Sequence, residues 1–238
     1  MLLGRWAPGD PRPFNLMSIR LIIFDLDGTL LDTAADMADA LNDVLPPDIG
    51  HVSLEEARAV MGGGEDTFIA RVKHKNFDWQ DFGKRVGEAY AARLDVQTRP
   101  YPGVRATLKK LSSCSKVLLT NRRLSFTMPV LERFKLLPHF VDVIGRDSGS
   151  GTKPSPDPVF HVLRRLEAKP DETILVGDCV LDIEAGRAAG VQTVAVTYGY
   201  GYGVDPGFVD RADFVIDRFS GLLQVIARLD CRPAPNGP

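Results

Sequence analysis

The sequence predicts an α/β fold in which a doubly wound parallel sheet is interrupted, after its first strand, by a small helical insertion. The apolar run from Leu21 to Phe24 is typical of a strand buried on both faces of a parallel sheet. From Pro102 onward, strand-like and helical segments alternate, which is the pattern of such a sheet. Over residues 33–96, between these two regions, the patterns are only helical.

The insertion contains several helical segments. Residues 34–45 are amphipathic, and residues 65–75 and 78–94 continue the series. Ser53 followed by Glu56 predicts a capping box at the start of a further short helix. These segments together predict a small, all-helical unit.

The remaining strands of the sheet are predicted from short apolar runs that are separated by helical stretches. They are residues 116–120, 140–144, 173–177, 192–196 and 213–216.

Length, composition and charge agree with this fold and restrict the partners. The chain has 238 residues, 44% of them hydrophobic and 25% charged, which is enough for one domain and a smaller one. A net charge of -2 without a dense basic run argues against nucleic acid or a membrane surface as the main partner. The cysteines, Cys114, Cys179 and Cys231, form no CxxC pair, so we expect reduced thiols and a cytoplasmic protein.

The chain is expected to divide into four parts. The first 16 residues have no apolar core of the signal-peptide type. Met17 is a candidate start of the protein. Residues 1–16 form a disordered extension, and residues 17–32 with 97–230 form the α/β core. Residues 33–96 form the helical insertion, and residues 231–238 form a proline-rich loose tail.

Two carboxylates follow the first strand directly. Asp25 and Asp27 are two residues apart, so on an extended backbone their side chains point to the same side. They lie at the carboxyl end of a strand, where open α/β sheets bind ligands, and Gly28 lets the backbone approach a ligand closely. Asp-x-Asp-Gly alone is also an ordinary turn sequence. An EF-hand loop is less favoured, because its third acidic position and its closing Glu are missing.

Other polar residues fall just beyond later strands. Thr120 and Asn121 offer a hydroxyl and an amide suited to phosphate oxygens, although the pair is also a common helix cap. Lys153 lies in a proline-stiffened loop, where the alternative is a solvated lysine. Asp178 and Asp182 can lie on one side of a first helical turn, where capping is the alternative.

Together these segments resemble the four motifs of the haloacid dehalogenase superfamily, in order, and the resemblance covers about residues 19–229. The motifs are Asp25-x-Asp27-Gly28-Thr29, Thr120-Asn121, Lys153-Pro154 and Gly177-Asp178-x-x-x-Asp182. The resemblance implies a Rossmann-like core, and the insertion resembles the small helical cap of C1 type. Further segments are most similar to the phosphoglycolate phosphatase branch, namely Asp32-Thr33, Tyr101-Pro102-Gly103 and residues 182–190 and 196–201. Cys179 is a departure, because that branch usually has Ser or Thr there.

The resemblance implies a phosphatase that hydrolyses a small phosphate monoester, with 2-phosphoglycolate as the first candidate. Asp25 is then the nucleophile that forms an aspartyl phosphate. Asp27 protonates the leaving oxygen and later takes a proton from water. The implied phosphate-binding residues are Gly28, Thr120, Asn121 and Lys153, of which Lys153 also serves catalysis.

The resemblance also implies Mg²⁺ as the cofactor. Its ligands would be Asp25, the main-chain carbonyl of Asp27 and Asp178, with Asp182 supporting them. Four neighbouring carboxylates would otherwise push one another towards protonation.

Substrate choice is expected to rest on the cap. Arg58 is a candidate for the far end of the substrate, and a solvated arginine is the alternative. Gly62, Gly63 and Gly64 are candidates for a loop facing the substrate, or for a flexible turn. They follow a predicted helix rather than a strand, so they are not a dinucleotide fingerprint.

Other functions stay open at this point. A sugar-phosphate mutase and a pyrophosphatase share the architecture, whereas a dehalogenase has no use for the acid Asp27. A phosphonate-cleaving enzyme needs a Schiff-base lysine in the cap, and neither Lys73 nor Lys75 can be placed there. A non-catalytic binding or regulatory module is disfavoured, because the four motifs retain their polar residues.

Overall fold

The computed structural model describes residues 18–62 and 78–230. The expected extension at residues 1–16, the expected tail at 231–238, the predicted helix at 65–75, and Gly63 and Gly64 lie outside the described residues.

The core is a parallel sheet, as predicted. Within the described residues, the strands are β1 (Leu21–Phe24), β2 (Leu31–Asp32), β3 (Arg99–Pro100), β4 (Ser115–Leu119), β5 (Asp142–Ile144), β6 (Thr173–Gly177), β7 (Gln192–Val196) and β8 (Phe214–Ile216). Six of them form one sheet in the order β5-β4-β1-β6-β7-β8, and every neighbouring pair is parallel. The α/β fold class is therefore confirmed.

Helices cover the sheet and form the insertion. They are α1 (Ala34–Val44), α2 (Leu54–Met61), α3 (Trp79–Ala91), α4 (Val104–Lys110), α5 (Leu124–Arg133), α6 (Asp157–Arg165), α7 (Val180–Ala188), α8 (Gly201–Val204) and α9 (Leu222–Asp230). Short 3₁₀ turns occur at Pro47–Ile49, Leu137–His139, Pro170–Glu172, Pro206–Arg211 and Phe219–Gly221. No helix in this part of the chain combines the length and the apolar character that a membrane crossing requires.

The central strand β1 is buried on both faces because its side chains alternate between two apolar layers. Ile22 and Phe24 pack in a cluster that includes residues of α4, α5 and α9. Leu21 and Ile23 pack in a second cluster, with residues of α6 and α7. A strand buried in this way has no polar face, which explains its unbroken apolar run.

The insertion has its own small core and is joined to the sheet domain by a ribbon. Strands β2 and β3 pair antiparallel, with Leu31 opposite Pro100 and Asp32 opposite Arg99. Apolar residues of α1, α2 and α3 pack together in a separate cluster. The predicted capping box is present, because Glu56 N donates to Ser53 Oγ at 3.1 Å and Ser53 N to Glu56 Oε2 at 2.8 Å.

Candidate active site

The loop after β1 holds Asp25 at the centre of the sheet edge. Asp25 N donates to Val176 O of β6 at 2.9 Å, so the loop begins in register with the sheet. Gly28 has φ +83°, and a Cβ there would lie 2.2 Å from Asp178 Oδ2. Only glycine combines that conformation with so close an approach. The Gly28 amide itself donates to Leu31 O at 2.9 Å, so the glycine acts here through its backbone shape.

Lys153 joins two of the predicted carboxylates. Its Nζ lies 2.5 Å from Asp25 Oδ1 and 2.6 Å from Asp182 Oδ1, and its side chain is 4% exposed. Burial lowers the pKa of Lys153, but the carboxylates of Asp182 and Asp25 outweigh it and hold that pKa above its ordinary value. The lysine is therefore a permanent cation between two carboxyl groups.

Asn121 positions the lysine loop. Its Nδ2 donates to Lys153 O at 2.9 Å, and its Oδ1 accepts from Lys153 N at 3.0 Å. The side chain that was expected to bind phosphate directly is thus paired with the main chain of Lys153. Thr120 Oγ1 accepts from Arg122 N at 3.1 Å, which leaves its own O–H free to donate.

Asp178 is held by the loop that follows β7. Its Oδ2 accepts from Tyr200 N at 2.6 Å and from Gly201 N at 3.3 Å. Thr29 Oγ1 lies 3.5 Å from the other oxygen, Oδ1. The loop can press against the aspartate because residue 199 is glycine, where a Cβ would lie 2.3 Å from Asp178 Cβ.

Both oxygens of Asp182 are engaged. Oδ1 bonds Lys153, while Oδ2 accepts from the main-chain N and from the Sγ of Cys179, each at 3.3 Å. The thiol at this departure from the family pattern therefore still donates to the motif aspartate. Asp178, Cys179 and Asp182 are all buried and offer ligand atoms within 4.8 Å of one another.

Crowding shifts the pKa values of the buried acids. Burial, reinforced by Asp182 and Asp27 and opposed by Lys153, raises the pKa of Asp25 to about 7. Burial and the carboxylates of Asp25 and Asp182 raise the pKa of Asp178 well above its ordinary value. Burial and crowding therefore favour a bound proton or a bound cation over the bare carboxylates of Asp25 and Asp178.

Asp27 contacts both the start of the insertion and the core. Thr33 Oγ1 donates to Asp27 Oδ1 at 2.6 Å, and Arg122 Nη1 lies 3.5 Å from the same oxygen.

Tyr200 OH accepts from Thr33 N at 2.6 Å and donates to Asp32 Oδ1 at 2.8 Å. The hydroxyl of Tyr200 thus ties the loop that holds Asp178 to the start of α1.

Of the predicted cap residues, Arg58 and Gly62 lie within the described residues, and each contacts a residue outside the four motifs. Arg58 Nη2 donates to Asp32 Oδ2 at 3.0 Å, and Arg58 does not line the cavity above Asp25. Gly62 lies against the main chain of Tyr200, where a Cβ would be 2.8 Å from its carbonyl carbon. Both residues therefore contact the connection between insertion and core.

Three contacts of the site were not predicted from the sequence, although the resemblance singled out the segments that contain Thr33 and Tyr200. Thr33, Tyr200 and Arg122 contact motif residues without belonging to any of the motifs. A signal existed for Arg122, because it follows Thr120-Asn121 directly beyond the end of β4. The contacts of Thr33 and Tyr200 depend on how distant loops meet.

Comparisons with known proteins agree with one another. A family model described as haloacid dehalogenase-like hydrolase matches residues 22–196. A phosphoglycolate phosphatase of Nitrosospira multiformis is 37% identical over 200 residues, which cover 79% of this chain and 88% of that protein. One of Vibrio parahaemolyticus is 34% identical, over 88% of this chain and 96% of that protein. The crystal structure of a predicted phosphoglycolate phosphatase from Haemophilus somnus superposes with a TM-score of 0.77 at 28% identity, covering 87% and 97% of the two chains.

Proposed function

The chain belongs to the haloacid dehalogenase-like hydrolases, and from this premise we propose that it is a Mg²⁺-dependent phosphatase whose first candidate substrate is 2-phosphoglycolate. The observation that carries the proposal is the contact of Lys153 Nζ with Asp25 at 2.5 Å and with Asp182 at 2.6 Å. These two contacts bring the motifs of Asp25, Lys153 and Asp182 together around the Asp25 carboxylate, which is the group suited to attack phosphorus. The names of the relatives from Nitrosospira multiformis and Vibrio parahaemolyticus support the choice of substrate.

The reaction proceeds in two displacements. In the first, a carboxylate oxygen of Asp25 attacks phosphorus, the ester P–O bond breaks, and Asp27 gives its proton to the leaving oxygen. In the second, water attacks the phosphorus of the aspartyl phosphate and gives a proton to Asp27. The products are inorganic phosphate, the alcohol and the regenerated Asp25 carboxylate.

The surrounding residues hold the phosphoryl group and place the nucleophile. Lys153 keeps Asp25 oriented and supplies positive charge to the phosphoryl oxygens. Thr120 donates its hydroxyl hydrogen to the same group. Asn121 acts one step away, by fixing the main chain of Lys153.

The residues present fit Mg²⁺. The ion prefers carboxylate and carbonyl oxygens, and the pKa of Asp25 and that of Asp178 are both raised by burial and by neighbouring carboxylates. A cation held by Asp25, Asp178 and the carbonyl of Asp27 would remove that repulsion. Asp182 has no free oxygen and supports the site through Lys153. When bound, the ion supplies a positive charge that brings an anionic substrate to an anionic nucleophile.

Phosphate release from 2-phosphoglycolate tests the proposal. The purified protein should release phosphate with Mg²⁺, stop after EDTA, and recover when excess Mg²⁺ is added. Asp25→Asn should lower kcat by at least about a thousandfold while leaving the melting temperature close to that of the unchanged protein, because an amide of the same shape cannot act as the nucleophile. Undiminished release after exhaustive chelation, or by Asp25→Asn, would reject it.

A further inference from the structure

Arg122 is a buried cation of the active-site cavity that forms one long ion pair, with Asp27. Its side chain is 6% exposed, and neither Nη1 nor Nη2 has a hydrogen-bond partner among the residues that the structure describes. The nearest carboxylate oxygen is Asp27 Oδ1, at 3.5 Å, and Thr33 Oγ1 already donates to that atom at 2.6 Å. A guanidinium that is buried with free donors is costly to the fold, so a role at the site has to account for it.

The fold fixes this guanidinium in place. Arg122 N donates to Thr120 Oγ1, and Arg122 O accepts from Arg146 N at 3.0 Å. The guanidinium carbon lies 4.8 Å from the centre of the ring of Tyr90, which belongs to α3 of the insertion. The Tyr90 ring in turn packs edge-on against Phe126 of α5, with ring centres 5.8 Å apart. The donors are therefore held between core and insertion before any ligand arrives.

The two other cations that are predicted from the sequence to act at the site are already paired. Lys153 is used by Asp25 and Asp182. Arg58, the residue expected from the sequence to reach the substrate, donates to Asp32. Arg122 is the cation in the described part of the cavity that is both buried and without a hydrogen bond from its terminal nitrogens.

We propose that Arg122 determines specificity by binding a carboxylate that the substrate carries next to its ester carbon. The inference rests on the proposed function, in which Asp27 faces the leaving oxygen. Because Arg122 Nη1 lies 3.5 Å from Asp27, a group two bonds from the leaving oxygen is placed beside the guanidinium. A guanidinium binds a carboxylate with two parallel hydrogen bonds, which would use both free nitrogens. The substrate class is thus a small phosphate ester of a 2-hydroxy acid.

The test compares two esters that differ only in the carboxylate. Initial rates are measured with 2-phosphoglycolate and with ethyl phosphate, and p-nitrophenyl phosphate reports whether any phosphatase activity is present. The quantity of interest is the ratio of kcat/KM for 2-phosphoglycolate to that for ethyl phosphate. A loss that affects both esters equally cancels in this ratio, so a purely structural role of Arg122 does not change it.

The unchanged protein should prefer 2-phosphoglycolate. Arg122→Gln should lower the ratio by at least about tenfold, mainly through KM for 2-phosphoglycolate, because the bond to a charged group is lost. Arg122→Lys should recover part of the ratio, since it keeps the charge but not the paired donors. Arg164→Gln is the control, because it removes the same charge from an exposed residue that does not line the cavity, and it should leave the ratio within about twofold.

Each outcome decides between the proposals. A ratio that Arg122→Gln leaves unchanged, or an unchanged protein without any preference for 2-phosphoglycolate, rejects the role of Arg122 while the phosphatase assignment stands. No phosphate release from any of the three esters rejects both. If Arg122→Gln does not fold, Arg122→Lys carries the same test, and a ratio equal to that of the unchanged protein would overturn the proposal.

Discussion

The four carboxylates of the site differ in their partners. Asp25 and Asp182 share Lys153, Asp178 has two main-chain amides, and Asp27 has the hydroxyl of Thr33. Such differences separate the chemistry of identical side chains. The side chain of Asp27 is 17% exposed, against 9% for Asp25 and 0% for Asp182, which suits the proposed role of an acid that meets the leaving group.

We expect Asp27→Asn to discriminate between leaving groups. It should reduce kcat for 2-phosphoglycolate far more than for p-nitrophenyl phosphate, because p-nitrophenolate leaves without needing a proton. Steady-state kinetics on the two esters would measure this. Equal losses would show that Asp27 acts mainly through structure or in the attack of water.

The raised pKa of Asp178 leads to a prediction about stability that can be tested without measuring turnover. We expect Asp178→Asn to raise the free energy of unfolding in EDTA at pH 8, because burial and the neighbouring carboxylates disfavour the charged form of Asp178 and an amide carries no charge. The amide oxygen can still accept from the amides of Tyr200 and Gly201. The same variant should lose most of the stabilisation that Mg²⁺ gives to the unchanged protein. Urea unfolding with EDTA or with Mg²⁺ would measure both.

The sign of the pH dependence follows from linkage. The folded-state pKa values of Asp178 and Asp25 are raised, so the folded protein binds protons more tightly than the unfolded chain. Their contribution to stability is present below the ordinary value of 3.8 and is lost as pH rises from there, for Asp25 up to about 7. The benefit of Asp178→Asn in EDTA should therefore shrink between pH 8 and pH 4. A benefit that grows in acid would contradict the raised pKa of Asp178.

Motif residues could be predicted from the sequence, whereas most of their partners could not. Asp25, Lys153 and Asp178 stand beside turn-forming residues beyond strands or in a stiffened loop, which leaves a local signal. Tyr200 and Thr33 meet only because the loop after β7 lies against the start of α1. That contact depends on tertiary structure, so no local pattern carries it.

At the scale of elements, the connection between core and insertion is closed by a buried acid. Asp36 of α1 is fully buried, and its carboxylate accepts from Gln97 N at 2.8 Å, Thr98 N at 2.8 Å and Thr98 Oγ1 at 2.7 Å. These bonds fasten the first helix of the insertion to the segment that returns to the sheet. The ribbon of β2 and β3 lies directly beside them.

We expect Asp36→Ala to destabilise the protein by about 2–4 kcal/mol, because the two buried donors of Thr98 and the part-buried amide of Gln97 lose their acceptor. Asp39→Ala is the matched control on the same helix. Its carboxylate also accepts from Gln97, through Nε2 at 2.7 Å, but in an exposed position, so its loss should cost less than about 1 kcal/mol. Urea unfolding would compare the two, and equal costs would refute the role given to Asp36.

Element prediction succeeded where a pattern was long enough. The strands at residues 173–177 and 192–196 agree with β6 and β7. Strand β5 begins at Asp142, two residues later than expected, because Phe140 ends a 3₁₀ turn. The ribbon of β2 and β3 was missed, since strands of two residues have no periodicity to detect.

At the scale of the whole molecule, the site is a consequence of strand order. Strands β4, β1 and β6 are neighbours at the middle of the sheet, and Thr120, Asp25 and Asp178 come directly after them. Parallel strands end at the same edge, so residues far apart in the chain meet there. The sequence predicts which residues lie at that edge, while the order of the strands decides which of them touch.

The insertion completes the cavity from the opposite side. Met37, Leu41 and Tyr90 of α1 and α3 line it together with Asp25 and Arg122 of the core. A group bound there contacts both units at once, so recognition of the substrate and shielding from water are linked.

The central claim is that Asp25 carries the phosphoryl group between the two displacements. Mixing the protein and Mg²⁺ with excess 2-phosphoglycolate, quenching in acid within the first turnovers and mapping peptides by mass spectrometry tests it most directly. The account predicts a phosphoryl group on Asp25, absent from Asp25→Asn and from samples mixed with the substrate in EDTA without Mg²⁺. The account would be contradicted if the protein turns over substrate while the phosphoryl group is found on another residue and Asp25 is unmodified.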